Sequence, residues 1–475
     1  MVLSDNKRKV AEGFDGIAHL RDRMLKRNRY YYWELVRFFR YNIPRGSRVM
    51  EIGCGIGNVL DALQPAYGVG VDISEKMIME ARERYPGLIF YQMDAENLVL
   101  EEKEFDFIVV SDTLGYLEDI QKFFGEIRRY AGPDTRVILT YHNFFWQPII
   151  KLAEWLRLKM KQEKLNWLNE DDISNLLYLE NFEIIKKGNR ILFPKHIPLI
   201  SYLFNKYVAN LPLLNRLCLV HYVVARKIEP ITDKNRLSTT VVIPARNESG
   251  NIENALKRMP QFGRHMEIVF IEGNSTDDTL NEIKRVCDLY KDRWDIKYAV
   301  QDGKGKGDAV RKGFAMARGD ILMILDADLT VPPEDLPKFY DAIVTGKGEY
   351  INGCRLVYPM EDEAMRTLNV IGNKFFSVMF SYLLGQRLKD TLCGTKVLTR
   401  KNYQKLIANR GYFGDFDPFG DFDLIFGSAK LNLKIVEVPI RYKTREYGDT
   451  NISRFTHGWL LLKMVIFAMN KIKFI

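Results

Sequence analysis

Residues 48–57 read RVMEIGCGIG, an apolar run from Arg48 to Ile52 that ends in a turn carrying Gly53, Gly55 and Gly57, with Glu51 close before it. A short apolar run closing on glycine has the pattern of a buried strand leading into a turn, and glycine there lets backbone N–H groups approach a ligand without a Cβ in the way. Outward from this stretch, apolar runs recur at Val69 to Val71, Leu88 to Met93, Phe105 to Val110 and Val137 to Thr140, separated by helix-like stretches such as Ser74 to Tyr85 and Ile120 to Tyr130. This alternation predicts a parallel sheet with helices on both faces, completed by strands near Phe182 to Lys187 and Leu217 to Arg226. The polar segment KIEPITDKNR, residues 227–236, has no apolar periodicity and marks a boundary. Beyond it the alternation restarts at Thr239 to Ile243, Glu267 to Ile271, Ile296 to Val300 and Ile321 to Leu325, so a second α/β domain is expected. Residues from about Glu361 to Gly385 read as an apolar helix. The closing segment, Trp459 to Ile475, fits either a helix lying on a bilayer or an ordinary packed one.

A chain of 475 residues predicts two or three domains at about 150 residues each. With 47% hydrophobic and 28% charged residues, collagen-like, mucin-like and disordered classes are excluded. Lys and Arg number 70 against 61 Asp and Glu, and the net charge of +9 fits phosphorylated ligands, an anionic membrane surface or RNA. Cys54, Cys218, Cys287, Cys354 and Cys393 form no Cys-x-x-Cys pair, which predicts neither a disulfide framework nor a zinc site and points to a reducing, cytoplasmic compartment. The N-terminal MVLSDNKRKVAEGFDG lacks the apolar stretch of a secretory signal, and basic residues interrupt the long apolar runs, so no membrane span is expected.

The glycine spacing discriminates further. Asn58 stands where a dinucleotide fingerprint needs its third glycine, which disfavours a dehydrogenase. Asp72 ends the second strand, where a carboxylate can accept from ribose hydroxyls, and Asp94 ends the third, within reach of an adenine amino group. In these residues the chain resembles class I S-adenosylmethionine-dependent methyltransferases, over about residues 30 to 228. The resemblance implies a Rossmann-like sheet whose Gly53, Gly55 and Gly57 loop holds S-adenosylmethionine, with the ribose on Asp72, the adenine against Asp94 and Ala95, and Glu51 ordering the loop. The alternative for Asp72 and Asp94 is a capping role. An acceptor hydroxyl needs a base, for which His142 is the candidate; Asp112 after the fourth strand, or a purely structural His142, are the alternatives. Phe144 to Leu158 and Pro194 to Leu214 read as acceptor-side additions that contact lipid or the other domain.

In the second half, VVIPARNESGNI (residues 241–252) ends a strand at Pro244 and follows it with Arg246, Asn247 and Glu248, while GKGDAVRKG (305–313) supplies Lys306. The run ILMILDADLT (321–330) delivers Asp326 and Asp328 to a strand's C-terminal end, the edge where open α/β sheets bind ligands. Two carboxylates at i and i+2 can share a hard divalent cation, which neutralises a diphosphate leaving group. Together these elements resemble family 2 glycosyltransferases of the GT-A fold, particularly the polyprenyl-phosphate (dolichol-phosphate) mannosyl and glucosyl transferases, over about Thr239 to Lys471. The resemblance implies that Pro244, Arg246 and Glu248 contact the nucleoside, that Asp326 and Asp328 hold Mg²⁺ or Mn²⁺, and that Arg355 faces donor phosphates. It further implies that Arg445 and Gly448 form a phosphate-gripping Arg-x-x-Gly segment. Glu272 and Gly273 stand where the family pairs aspartates, Thr330 where a glutamine sometimes occurs, and Asn451 where a lysine is expected, which leaves the donor base open. Glu272 and Lys306 count among the donor-side contacts. Asp421 and Asp423 occupy the place of a catalytic acidic pair, making Asp421 the candidate base; with an acceptor phosphate no base is needed, and Asp421 orients acceptor or metal instead. Asp390 and the Cys393–Gly394 turn also match, with Cys393 read as a small buried residue.

The expected organisation is a methyltransferase domain over 1–228, a linker over 229–236 and a glycosyltransferase domain over 237–475. The expected function is a bifunctional enzyme of cell-surface glycan or glycolipid assembly. It takes a nucleoside-diphosphate sugar, a polyprenyl-phosphate or glycan acceptor and S-adenosylmethionine, with peripheral contact at the cytoplasmic membrane face through residues 459–475. One alternative keeps the glycosyltransferase with a non-catalytic N-terminal binding module. Another is a nucleic-acid methyltransferase, although no nucleic-acid partner is expected because no RNA-binding signature accompanies the charge.

Overall fold

The computed structural model describes residues 3–102, 104–155, 166–229, 237–358, 367–413, 422–443, 445, 447 and 454–474. The chain forms two compact units, one reaching Ile228 and the other spanning Glu229–Lys473. Of the expected linker only Glu229 is among the described residues.

The first unit is built on a seven-stranded sheet of β1 (Arg48–Ile52), β2 (Tyr67–Asp72), β3 (Ile89–Gln92), β4 (Phe105–Ser111), β5 (Ala131–His142), β6 (Phe182–Arg190) and β7 (Val220–Lys227), in the order β3-β2-β1-β4-β5-β7-β6. Most neighbours run parallel, as the alternation predicts, but β7 is antiparallel to both β5 and β6, which makes the sheet mixed. The cause lies in the connection. Past β6 the chain enters residues 191–219 and returns from the same edge, and a strand that doubles back without crossing the sheet pairs antiparallel. Caps set the helix starts: Ser4 accepts from Lys7 N at the head of Asp5–Arg27, Ser74 from Met77 N before Glu75–Arg84, and Asp119 from Lys122 N before Ile120–Arg128.

The second unit holds β8 (Thr239–Ala245), β9 (Met266–Glu272), β10 (Asp295–Val300), β11 (Ile321–Ile324), β12 (Tyr350–Cys354), β13 (Lys396–Thr399) and β14 (Ile435–Pro439), in the order β10-β9-β8-β11-β13-β12-β14. Here β13 alone is antiparallel to its neighbours β11 and β12. Period-two alternation divides each central strand between two cores: Val241 and Ile243 of β8 join one, Val242 the other, and Met323 and Leu322 of β11 separate in the same way. Both faces being covered, these strands read as continuous apolar runs. Pro244 sits in a central strand at no cost to the ladder with β11, because that pairing stops at Val242.

The C-terminal segment resolves to the packed alternative. The helix Arg454–Ala468 and the turn after it bury Leu461, Met464, Val465, Ala468 and Ile472 in the core that contains Phe380, Phe422 and Phe426. Its large exposed apolar side chains are Trp459 and Ile466. The expected bilayer-lying segment is therefore a core element of its unit. Met464→Ala should cost about 2–5 kcal/mol, read as a lowered denaturant midpoint, whereas Trp459→Ser should stay within about 0.5 kcal/mol of wild type. Among the described residues no helix is long and apolar enough to cross a membrane.

Candidate active sites

In the second unit, β11 ends at Ile324 and the chain turns through Asp326, Ala327 and Asp328 to Leu329, whose φ of 52° is a left-handed conformation that a bulky residue adopts only under constraint. Leu329 N donates to the Asp326 carbonyl at 3.2 Å, closing the turn. Lys306 Nζ, at the head of the helix Lys306–Met316, pairs with Asp326 Oδ1 at 2.6 Å. Asp328 Oδ2 takes Arg445 at 2.7 Å, while its Oδ1 accepts from Thr330 N and Oγ1 at 3.1 and 2.8 Å. The same Arg445 guanidinium reaches Glu248 Oε1 at 3.2 Å, and Glu248 is fixed by Asn251 Nδ2 at 2.7 Å. Five sequence-predicted residues thus converge on one edge: Asp326, Asp328, Lys306, Arg445 and Glu248. Burial pushes the Asp326 carboxyl up, but Lys306, with Lys396 and Arg355 nearby, outweighs it and holds the group below the carboxylate range. Glu248 goes the other way, raised by burial against the pull of Asn251 and Arg445.

The donor-side turn lies beside this cluster. Arg246 is exposed at its rim and Pro244 half-buried. Glu272, at the end of β9, is buried and accepts from Ser275 N at 2.6 Å, so its carboxylate shapes the turn after β9. A Cβ at Gly273 would stand 2.9 Å from the Arg246 Cβ, which accounts for a glycine where the family carries an aspartate.

Arg355 is held from within the unit. Its fork is committed to Asp390, with Nε at 2.7 Å from Oδ2 and Nη2 at 2.8 Å from Oδ1, and both residues are buried. Burial alone would raise the Asp390 carboxyl, yet Arg355 holds it below its ordinary value. The guanidinium thereby supplies positive potential behind Asp326, and its partner matters because an uncompensated buried cation would cost several kcal/mol. One further residue escaped the sequence reading. Lys396, wholly buried, donates to the Cys393 carbonyl at 2.5 Å and to Asn352 Oδ1 at 3.3 Å; a lysine inside the apolar strand KVLT was the available signal. Gly394 lies against the Asp326 carboxylate and the Lys306 ammonium so closely that any Cβ there would displace them. Asp421 and Gly448 lie outside the described residues, while Asp423 is paired with Arg410 at 3.0 Å.

In the first unit the glycine turn joins β1 to the helix Asn58–Leu63. Gly53 and Gly55 both adopt positive φ, 73° and 52°; a Cβ at Gly53 would collide with Thr113, whereas one at Gly55 would meet nothing within 4 Å, so the loop is open above Gly55. Gly57, also at positive φ, caps the helix and packs against Phe90 and Tyr85. Asp72 pins the loop by accepting from Gly55 N at 2.8 Å and Ser74 N at 2.9 Å. Each carboxylate oxygen has a second lone pair, and Asp72 is partly exposed, which suits ribose hydroxyls. The open cradle above Gly55 and this acceptor beside it fit a nucleoside cofactor.

Glu51 lies beneath the loop, accepts from Leu60 N at 2.9 Å, and is pushed by burial to a pKa of about 8. The folded unit therefore keeps a proton that the unfolded chain releases near 4.5, so stability falls as pH rises from about 4.5 to about 8 and is level above. Glu51→Gln should flatten that slope in thermal melts taken across pH 5 to 8.

Asp94 is likewise tied to partners within its unit. It is buried, and its Oδ2 accepts from Lys7 Nζ and Asn97 Nδ2, both at 2.7 Å, while Oδ1 accepts from Glu96 N at 3.0 Å. Lys7 comes from the helix Asp5–Arg27 and also pairs with Glu96 at 2.7 Å. Burial would raise the Asp94 carboxyl, but Lys7 and its other donors keep it low, so it anchors the N-terminal helix. Ala95 next to it is half-buried against the core.

His142 and Asp112 line one small cleft together with Tyr116, Tyr141, Asn166 and Trp167. Asp112 has a φ of 53° and accepts from the Tyr31 hydroxyl and, at 3.1 Å, from Thr140 Oγ1. His142 stacks on the Tyr31 ring, their centroids 6.4 Å apart. The sequence named both cleft residues; Tyr31, 81 positions from Asp112, it did not.

Both units are α/β sheets with polar groups gathered at strand ends, the class of fold on which nucleotide- and cofactor-dependent enzymes are built. A family model described as glycosyl transferase family 2 matches residues 240–407, and one described as methyltransferase domain matches residues 24–187. The chain thus carries a methyltransferase domain in its N-terminal half and a family 2 glycosyltransferase domain in its C-terminal half. Similar curated proteins include glycosyltransferase AglJ of Haloferax volcanii, 27% identical over 223 residues (46% of this chain, 68% of that protein). Dolichyl-phosphate beta-glucosyltransferase of Saccharomyces cerevisiae is 27% identical over 235 residues (44% and 68%). Dolichol-phosphate mannosyltransferase of Pyrococcus furiosus is 33% identical over 222 residues (46% and 59%), so the chain spans little more than half of that relative. Similar solved structures include a SAM-dependent methyltransferase of Thermotoga maritima described as a possible histamine N-methyltransferase, at a TM-score of 0.36 and 19% identity, covering 46% of this chain and 99% of that one. Another is the glucosyl-3-phosphoglycerate synthase of Mycobacterium tuberculosis, at a TM-score of 0.37 and 18% identity (50% and 78%).

Proposed function

We propose that the C-terminal unit transfers a hexosyl group from a nucleoside-diphosphate sugar to a polyprenyl phosphate or glycan, and that the N-terminal unit transfers a methyl group from S-adenosylmethionine. The observation that carries the first reading is the gathering of Asp326, Asp328, Lys306, Arg445 and Glu248 at one strand edge. Asp326 and Asp328 would hold a divalent cation; two carboxylates with substrate phosphates completing the shell is the usual provision for Mg²⁺. Bound there, the cation would offset charge developing on the departing diphosphate. Lys306 and Arg445 put two more positive charges where phosphate oxygens would lie, and Lys396 with Arg355 adds positive potential from behind. An acceptor phosphate is already ionised, so the chain then needs to orient it and not deprotonate it; Asp421 is the group proposed for that task, or for proton removal from a hydroxyl acceptor.

For the N-terminal unit, Gly55 and Asp72 form the proposed cofactor cradle, and His142 and Asp112 in the adjoining cleft are the groups proposed to take a proton from an acceptor. The deciding experiment is mass spectrometry of products from a panel of UDP- and GDP-sugars with polyprenyl phosphate, with and without EDTA. A glycosyl-phosphate lipid formed only with free divalent cation supports the reading, and absence of product from every donor rejects it. Calorimetry with S-adenosylmethionine tests the other half. Asp72→Ala removes the acceptor that also pins Gly55, so affinity should fall by about 100-fold or more with sugar transfer kept.

A further inference from the structure

In the N-terminal unit the chain segments that leave β5 and re-enter at β7 are fastened together. Asn143 Nδ2 donates to the carbonyls of Arg216 and Cys218, each at 2.9 Å, and Trp146 Nε1 donates to the Leu217 carbonyl at 2.8 Å. These bonds fasten the start of the segment 144–155 to the end of the segment 193–217, and the latter lies outside the residues matched as a methyltransferase domain. What both segments show to solvent is apolar: Phe145 is 72% exposed, Trp155 79%, Leu199 74% and Leu213 79%, with Ile149 and Leu152 about half exposed. Single exposed apolar residues are ordinary, but a run of them on two adjoining segments marks an interaction surface.

Charge selects the partner. From Ile184 to Ile228 there is no Asp or Glu, and Lys151, Lys195 and Arg216 are exposed within the two segments. Apolar side chains interspersed with cations match an anionic bilayer, where the apolar groups insert and the basic groups meet headgroups. A second copy meeting this face symmetrically would instead set cation against cation. The face also adjoins the cleft, since Phe144 lies edge-on to Trp167, one of the cleft's lining residues.

The geometry points to this face of the N-terminal unit, and not the C-terminal helix, as the surface that docks on anionic lipid. Docking would put the mouth of the Asp112–His142 cleft at headgroup level. It does not depend on the methyltransferase reading, because lipid binding and S-adenosylmethionine binding are measured separately.

Flotation of the full chain is the test, with phosphatidylcholine vesicles, with or without about a quarter phosphatidylglycerol. The protein should float with the anionic vesicles and be released by about 0.5 M salt, where screening is strong. A Phe145→Ser, Trp155→Ser, Leu213→Ser triple variant should bind at least about tenfold less, and a Trp459→Ser, Ile466→Ser variant should float as wild type does. If the triple variant misfolds, Lys151→Glu with Arg216→Glu should show the same loss. A folded wild type that stays down, patch variants that float undiminished, or a dimer that the patch variants turn into monomers would overturn the proposal.

Discussion

Asp328→Asn should lower sugar transfer by about 10³-fold or more while leaving the second unit folded. The substitution keeps the volume of the side chain and an oxygen able to accept from Thr330 N and Oγ1, so the turn that follows β11 survives. What it removes is the negative charge facing Arg445 and shared with Asp326 in the proposed cation site. Loss of charge compensation at a diphosphate leaving group raises the barrier by about 4 kcal/mol, and each 1.36 kcal/mol is about tenfold in rate. Stability should change by about 1 kcal/mol at most, since one partly exposed ion pair is lost. The comparison is transfer from radiolabelled donors against a denaturant titration of the same preparation, with EDTA-treated wild type alongside. A folded variant transferring at the wild-type rate removes the metal-assisted scheme.

Asp390→Ala should act chiefly on stability. Arg355 is buried and donates from Nε and Nη2 to Asp390, whose carboxylate also accepts from Arg355 N at 3.0 Å and Leu392 N at 3.1 Å. Removing the carboxylate strands a cation in the interior, at a cost of about 3–5 kcal/mol. Because residues 391–393 lead directly to Gly394, the glycine that touches Asp326, sugar transfer should fall too. The double variant Arg355→Met with Asp390→Leu separates the effects. It carries no charge at these two buried positions and should recover most of the lost stability, yet not the activity, having lost the Arg355 part of the positive potential behind Asp326. Urea midpoints and transfer rates for the single and double variants decide this. An Asp390→Ala protein as stable as wild type would show that the pair is not what holds this turn.

The sequence alone was sufficient for features carried by contiguous residues. Strand positions follow from apolar runs of four to seven residues, such as β8 and β11, because burial on both faces leaves a local imprint. The glycine turn after β1, the carboxylate ending β2 and the pair after β11 are likewise local, since each depends on a strand delivering its next few residues to one edge. Tertiary structure decided what depends on partners far along the chain. Lys7 takes Asp94 from 87 residues away, Arg445 takes Asp328 from 117, and Asp390 takes Arg355 from 35; composition and periodicity carry no record of such pairings. The direction of β7 was settled by how residues 191–219 return, not by the strand's own pattern. The C-terminal helix is the plainest case: its sequence fits a bilayer or a protein core equally, because both offer the same apolar environment, and only the packing of Met464 and Leu461 against their neighbours in the folded unit distinguishes the two.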